Sequence, residues 1–187
     1  MNKSIRPFVF ISFALVAVVS VYALDVEKAY DMPDASKIVK DDLIPGPTKF
    51  TMPKDCKLDD LESIARGEYM FHNLNSKNDK KENLPKGMKS PKEGEVKAYG
   101  NCVACHNIEN AIGGGTVGPP LTNYKVNFID TKVRDAQFIY QKIADPRVDM
   151  KTTAMTVNLT SKLFDESEVC DVTAYVMQVK KEKSTQK

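Results

Sequence analysis

The sequence predicts an all-α fold in which helices are joined by long irregular connections. Three segments carry apolar residues at helical spacing, and two of them begin with acidic residues that can cap a helix. No segment alternates apolar and polar residues clearly enough to demand a sheet. Stretches with proline and glycine separate the helical segments. The length of 187 residues suits one domain or at most two small ones.

The first 23 residues have the organisation of a secretory signal peptide. Lys3 and Arg6 precede an apolar run, and Val21 and Ala23 supply the small residues of a cleavage site. The alternative is an uncleaved anchor, although the run is at the short end of what spans a bilayer. Both interpretations place the body of the protein outside the cytoplasm, where disulfides can form. We therefore expect a periplasmic protein with no membrane span in its mature chain.

The rest of the chain divides into a leader, a domain and a short tail. Residues 24–55 form an extended leader with scattered prolines and no sustained period. The domain is expected over residues 56–182, and the tail over 183–187. Residues 75–98 are rich in lysine and contain Pro and Gly, which predicts an inserted loop. A loop of this length is either a solvated insertion or a surface on which a partner docks.

Three helices are expected inside the domain. The first is capped by Asp59 or Asp60 and runs to about residue 74. A second covers residues 131–144 and ends near Pro146, and the last opens at Asp165 with Glu168 as a capping box. The expected apolar positions are Leu61, Ile64, Ala65 and Phe71 in the first helix and Val169, Val172, Val176 and Val179 in the last.

Composition excludes several classes of protein. With 42% hydrophobic and 28% charged residues, the chain is neither disordered nor a multi-span membrane protein. The net charge is +2, and Lys3 and Arg6 in the signal peptide account for it. The mature chain is therefore neutral overall, which argues against a nucleic-acid-binding protein.

Cys102, Cys105 and His106 form the CxxCH pattern of covalent c-type haem attachment. This spacing places both thiols on one turn, where they can add to the two haem vinyl groups, and His106 then becomes the proximal iron ligand. A thioredoxin-like redox pair would need a βαβ pattern, which is missing here. A structural zinc site would need two close pairs of ligands, but Cys56 and Cys170 are isolated in the sequence. One motif predicts one haem c.

A glycine-rich stretch follows the motif and leads into Gly118-Pro119-Pro120. It has neither Walker nor Rossmann spacing, so a phosphate-binding loop is not indicated. We expect a loop that wraps the proximal side of the haem. A carbonyl in the Gly-Pro-Pro turn can then accept the second ring proton of His106 and fix its tautomer.

The distal iron ligand has three candidates. Met155 is favoured and Met150 is its rival, since both follow the Pro146 break in an irregular segment that can fold over the far face of a haem. His72, the only other histidine, is third. A thioether ligand raises the reduction potential relative to a second imidazole, which suits an electron acceptor.

Two cysteines remain outside the motif. Cys56 precedes the first helix and Cys170 lies on the last one. In an oxidising compartment two such residues more often pair than stay free, and a disulfide forms if the helices bring them together. The alternative is two unrelated thiols.

Several segments together resemble known families. The sequence resembles the class I cytochrome c fold in Gly67-Glu-Tyr-Met-Phe71, CxxCH, Gly118-Pro-Pro-Leu121, a late Met and Ala174-Tyr175. More narrowly, the sequence resembles the SoxX family of monohaem cytochromes. The segments that carry this resemblance are Gly100-Asn-Cys-Val-Ala-Cys-His106, Thr116-Val-Gly-Pro-Pro-Leu121, Ile143-Ala-Asp-Pro-Arg147, Met155 and Glu168-Val-Cys-Asp-Val-Thr-Ala-Tyr175. The resemblance spans about residues 60–180.

The resemblance implies roles for individual residues. Cys102 and Cys105 would attach the haem, His106 would be the proximal ligand and Met155 the distal ligand. Arg147 would lie close to a haem propionate, on grounds of charge complementarity. The implied fold packs helices around one covalently attached haem with long irregular loops.

The SoxX resemblance also implies a function and partners. The chain would be the redox subunit of a SoxAX-type L-cysteine S-thiosulfotransferase. Its partner would be a SoxA-like subunit with one or two haems, which conjugates thiosulfate to a cysteine of a SoxYZ-like carrier. The chain would accept the electrons and pass them to a downstream cytochrome. The alternative is a free periplasmic electron carrier.

Overall fold

The computed structural model describes residues 45–77, 80, 83–88, 91–92 and 94–179. The expected signal peptide at 1–23, most of the leader and the tail at 183–187 lie outside the described residues. Helix α1 is Leu61–His72, α2 is Ala136–Ala144 and α3 is Glu166–Gln178. The described residues form no β-strand beyond one isolated antiparallel bridge between Asn75 and Ala98. The all-α prediction is confirmed. Within the same residues, no helix is long and apolar enough to cross a membrane.

Helix α1 begins where its cap predicts, but it buries a different face. The Asp60 side chain accepts a hydrogen bond from the Ser63 backbone at 3.0 Å. Leu61 is 82% exposed and Ala65 is also exposed, so the expected apolar side is partly wrong. The buried residues are Ser63, Gly67, Met70 and Phe71. This face is selected by Gly67, because only a residue without Cβ lets the backbone of α3 approach so closely.

Helix α2 starts five residues later than predicted. A π-helical turn, Lys125–Ile129, precedes it, and Lys132 then adopts a left-handed conformation with φ of 59°. That conformation interrupts the helix that the spacing of apolar residues predicted from residue 131. Asp135 restarts it, since its side chain accepts from the backbone N–H of Phe138 at 2.8 Å. A 3₁₀ turn, Pro146–Val148, follows α2.

Helix α3 is the central element of the core. Its capping box is confirmed, with Asp165 and Glu168 bonding to each other's backbone. The four predicted valines are buried. Helix α1 crosses α3 at Gly67, beside an edge-to-face contact of Phe71 and Tyr175 with 5.4 Å between ring centroids. Helix α2 also packs against α3.

A partly buried ion pair and a disulfide reinforce this arrangement. The Arg66 guanidinium donates to both carboxylate oxygens of Asp171 on α3, at 2.8 and 2.9 Å, and the Ser63 hydroxyl donates to the same carboxylate. Cys56 and Cys170 form a disulfide, with their Cα atoms 5.4 Å apart. The bond joins the segment before α1 to the middle of α3.

The described parts of the loop at 75–98 return to the core. Its ends are joined by backbone hydrogen bonds of 2.9 Å from Ser76 to Lys97 and from Tyr99 to Leu74. Lys97 pairs with Glu168 at the start of α3. These contacts place the CxxCH segment directly after a fixed loop base.

Candidate haem-attachment site

The CxxCH residues form a tight turn anchored to the end of α1. Asn101 adopts a left-handed conformation with φ of 43°, and its N–H donates to the Asn73 carbonyl at 3.1 Å. The 3₁₀ turn Cys102–Ala104 follows. Backbone N–H groups of Cys105 and His106 donate to the Cys102 carbonyl at 3.1 and 2.9 Å. Both cysteines of the motif therefore lie on one turn.

Neither thiol of this turn is bonded to another cysteine. Burial raises the pKa of the Cys102 thiol to about 12. A redox-active CxxC pair needs the opposite, a thiolate stabilised by a lowered pKa. The burial of Cys102 thus disfavours thiol–disulfide exchange at this turn.

The imidazole of His106 is held in one tautomer. Its Nδ1 lies 2.8 Å from the Pro119 carbonyl oxygen, and because a carbonyl only accepts, Nδ1 carries the proton. The lone pair is then on Nε2, the nitrogen available to a metal. This is the hydrogen bond that the Gly-Pro-Pro turn predicted.

The glycine-rich loop wraps the CxxCH turn. Gly115 N–H donates to the Val103 carbonyl at 2.9 Å, and Gly118 N–H donates to the Cys105 carbonyl at 2.8 Å. A Cβ added to Gly118 would lie 2.6 Å from Nδ1 of His106. The loop backbone approaches the imidazole too closely for any residue but glycine, which explains the composition of this stretch.

The distal candidates differ in their surroundings. Met155 is half-buried and packs against the core, whereas Met150 is 59% exposed. The Nε2 atom of His72 lies 2.9 Å from the Tyr175 hydroxyl at the crossing of α1 and α3. Met155 therefore stays the predicted distal ligand, with Met150 and His72 as the lower candidates.

Arg147 has a close partner within its own turn. Its Nε and Nη2 atoms donate to the two carboxylate oxygens of Asp145 at 2.9 and 2.8 Å. The expected contact with a haem propionate stays a prediction. Asp145 could not be recognised from the sequence as a centre of hydrogen bonding, because two of its partners, Thr48 and Thr160, are distant in the sequence. The only local signal for Asp145 was its position before Pro146, which is typical of a residue that caps a helical turn.

The donor set fits haem rather than a bare metal ion. Within the described residues, no group of three or more His, Cys, Asp and Glu side chains could chelate an ion. The turn instead offers two thiols for thioether bonds and one imidazole nitrogen with its lone pair exposed to a metal. The glycine loop supplies the close backbone cover of the proximal side.

Comparison with protein families agrees with this geometry. Residues 92–180 match the family model described as Cytochrome c, whereas no curated protein matches the chain. The match covers the CxxCH turn, α2 and α3, and it begins after α1. Together with the all-α architecture, it makes this region a cytochrome c domain of class I. Cytochromes c carry covalently attached haem c, which is therefore the cofactor.

Proposed function

We propose that this chain, an electron-transfer haem protein by virtue of its cytochrome c domain at residues 92–180, works in the periplasm as the electron-accepting subunit of a SoxAX-type complex. In this role it is the non-catalytic redox subunit of an L-cysteine S-thiosulfotransferase. Its partners are a SoxA-like haem subunit, a SoxYZ-like carrier protein and a downstream acceptor cytochrome.

The observation that carries the electron-transfer role is the geometry of the CxxCH turn. Cys102 and Cys105 would hold the cofactor through thioether bonds, and His106 would be its proximal ligand. The haem supplies reversible one-electron chemistry at its iron. The Pro119 carbonyl orients His106 and strengthens it as a donor, because it accepts the Nδ1 proton. A thioether ligand from Met155 would raise the reduction potential of the haem, which favours electron uptake.

Two observations support a partner that performs the sulfur chemistry. The ordered set of segments from Gly100 to Tyr175 resembles SoxX more narrowly than CxxCH alone would. The motif thiols are also unavailable to attack thiosulfate or a disulfide, since both would be consumed in thioether bonds to haem, and burial raises the pKa of the Cys102 thiol to about 12. Bond formation to sulfur is therefore assigned to the SoxA-like subunit.

Covalent haem attachment is tested on the mature protein in a denaturing gel stained for haem. The wild-type band is expected to stain, and the Cys102→Ala/Cys105→Ala variant is expected to lose the stain. The matched control is Cys56→Ser/Cys170→Ser, which also removes two cysteines but should keep the stain. Release of the wild-type pigment into acidified acetone would contradict the proposal.

The SoxAX role is tested by co-expression with a SoxA-like subunit. Co-purification of the two haem chains as a complex, active in conjugating thiosulfate to a SoxYZ-like carrier, would support the role. A monomeric holoprotein that never associates with a second haem chain would instead favour the alternative, a free periplasmic electron carrier.

A further inference from the structure

An extended segment before α1 lies along α2. We call residues 46–56 the strap. Its backbone is bound by two glutamine side chains of α2. Gln141 accepts from the N–H of Phe50 at 2.7 Å and donates to the carbonyl of Thr48 at 3.1 Å. Gln137 accepts from Met52 at 2.8 Å and donates to the Phe50 carbonyl at 2.9 Å.

The spacing of the two elements explains this regular pattern. Two residues of extended chain advance by about 6.6 Å, and four residues of helix advance by about 6 Å. Every second strap residue therefore meets every fourth residue of α2. The two glutamines act like a neighbouring strand, because each offers one acceptor and one donor to the strap backbone. The disulfide at Cys56 fixes the far end of the strap.

The next contact in this series is Asp145, at the end of α2. Its carboxylate accepts from the Thr48 N–H at 3.0 Å and from the Thr160 hydroxyl at 3.3 Å. It also accepts from the backbone and the guanidinium of Arg147. Asp145 is fully buried. These donors compensate the negative charge of the Asp145 carboxylate. Because they come from the strap, from Arg147 and from Thr160, the carboxylate links the strap to both ends of the following loop.

That loop, residues 146–157, carries both methionine candidates and is closed at its base. The Asn158 side chain donates to the Ile143 carbonyl at 2.7 Å, and the Leu159 N–H donates to the Ala144 carbonyl at 3.1 Å. Together with the bond from Thr160 to Asp145, these contacts return the end of the loop to the end of α2. Such a closed base is typical of a compact loop whose geometry depends on a few anchoring bonds.

We propose that Asp145, held in place by the strap, is a positioning residue for the distal methionine. A thioether is a neutral ligand on a flexible side chain, so its binding to iron depends on how firmly the loop presents it. The strap restrains Asp145, and Asp145 restrains both ends of the loop. The inference rests on the proposed function, since it requires bound haem.

The test uses the holoprotein and three variants. Asp145→Asn keeps the size of the side chain but removes its charge. Gln141→Ala removes the glutamine's bonds to the strap at Thr48 and Phe50 and its bond to the Asp145 backbone carbonyl, and it leaves the Asp145 carboxylate in place. The control is Asp149→Asn, which lies just beyond the 3₁₀ turn and pairs with Lys142 at the surface. The readouts are the far-red absorption band of methionine-ligated ferric haem and the reduction potential.

Asp145→Asn and Gln141→Ala are expected to weaken the far-red band and lower the potential. Loss of one or two anchoring hydrogen bonds should raise the fraction without methionine ligation about tenfold in Asp145→Asn. Asp149→Asn should match the wild type. Should Asp145→Asn not fold, Gln141→Ala decides the outcome alone.

Two results would overturn the inference. One is an unchanged band and potential in Gln141→Ala and in folded Asp145→Asn. The other is wild-type holoprotein that stains for covalent haem but lacks the methionine band. Both leave haem attachment intact and so differ from failure of the proposed function, in which the wild type would not stain at all.

Discussion

Gly118 lies so close to the His106 imidazole that no side chain fits at this position. A methyl group at position 118 would lie 2.6 Å from Nδ1 of the imidazole, so Gly118→Ala must displace the ring or the loop. Overpacking of this kind costs about 1–3 kcal/mol of stability. We expect less haem-loaded protein and a shifted haem spectrum, measured by absorbance per mole of chain. Gly46→Ala is the control, since its Cβ would meet no atom within 4 Å. Equal loading of both variants would contradict the prediction.

His72 gives the folded protein a pH dependence. Burial lowers the pKa of its imidazole below the usual 6.5. As the pH falls through 6.5, the unfolded chain therefore takes up a proton before the folded protein does, and the free energy of unfolding decreases. Denaturant titrations at pH 7.5 and 5 should show a larger loss for the wild type than for His72→Gln, which keeps a polar partner for Tyr175. Identical losses would show that His72 does not contribute.

Sequence patterns predict the contacts of a residue when its partners are close to it in the chain. The CxxCH spacing and the nearby Gly-Pro-Pro turn were sufficient to predict that a carbonyl of the turn bonds to His106, and the structure shows that it is the carbonyl of Pro119. Asp145 could not be recognised in the same way. Its role comes from Thr48 and Thr160, and no periodicity connects residues so far apart.

At the crossing of helices α1 and α3, we expect Gly67→Ala to change the stability in the direction opposite to that predicted by helix propensity. Alanine is favoured over glycine inside a helix by about 1 kcal/mol, so propensity alone would make Gly67→Ala stabilising. A Cβ at this position would instead collide with the Asp171 carbonyl and lie 2.9 Å from Cβ of Tyr175. We expect a net loss of about 1–3 kcal/mol, because the helices must move apart.

The measurement is the free energy of unfolding from denaturant titration. Ala65→Gly serves as the control on the exposed face of the same helix, where propensity alone should cost about 1 kcal/mol. A Gly67→Ala variant more stable than the wild type would mean that the crossing has room for a methyl group.

Helix boundaries were predictable where a side chain caps the helix. The start of α1 was predicted at Asp59 or Asp60 and lies at Asp60, and the start of α3 was predicted and is found at Asp165. Helix α2 also has an aspartate cap, Asp135, but the apolar spacing extended back across it to residue 131. The left-handed Lys132 breaks that helix, and no residue type at the position announces it. Periodicity alone therefore overestimated this element.

For the whole molecule, a few cross-links tie together helices that are separated by long irregular segments. The strap lies on α2, the disulfide joins it to α3, and the Arg66–Asp171 pair joins α3 to α1. The sequence suggested the disulfide from its oxidising compartment and the two remaining cysteines. The strap was predicted only as part of an extended leader, since its binding to Gln137 and Gln141 depends on tertiary geometry.

Removal of the disulfide is therefore expected to destabilise the domain as a whole. Cys56 and Cys170 are 114 residues apart, so the bond restricts most of the described chain in its unfolded state. Chain-entropy estimates for a loop of this size give about 4–5 kcal/mol. Holoprotein of the Cys56→Ser/Cys170→Ser variant should unfold at a correspondingly lower denaturant concentration while its haem stain is retained.

The same denaturant titration can be repeated with a dithiol reductant, which breaks the disulfide without a mutation. It should shift the unfolding midpoint of the wild type towards that of the double variant and leave the variant unchanged, since the thioether bonds to haem are not disulfides. A shift of equal size in both proteins would assign the effect to another site. A midpoint in the double variant equal to that of the wild type would mean that the disulfide does not stabilise the domain. Covalent haem attachment at Cys102 and Cys105 closes only a short loop of chain, so we expect the large difference instead.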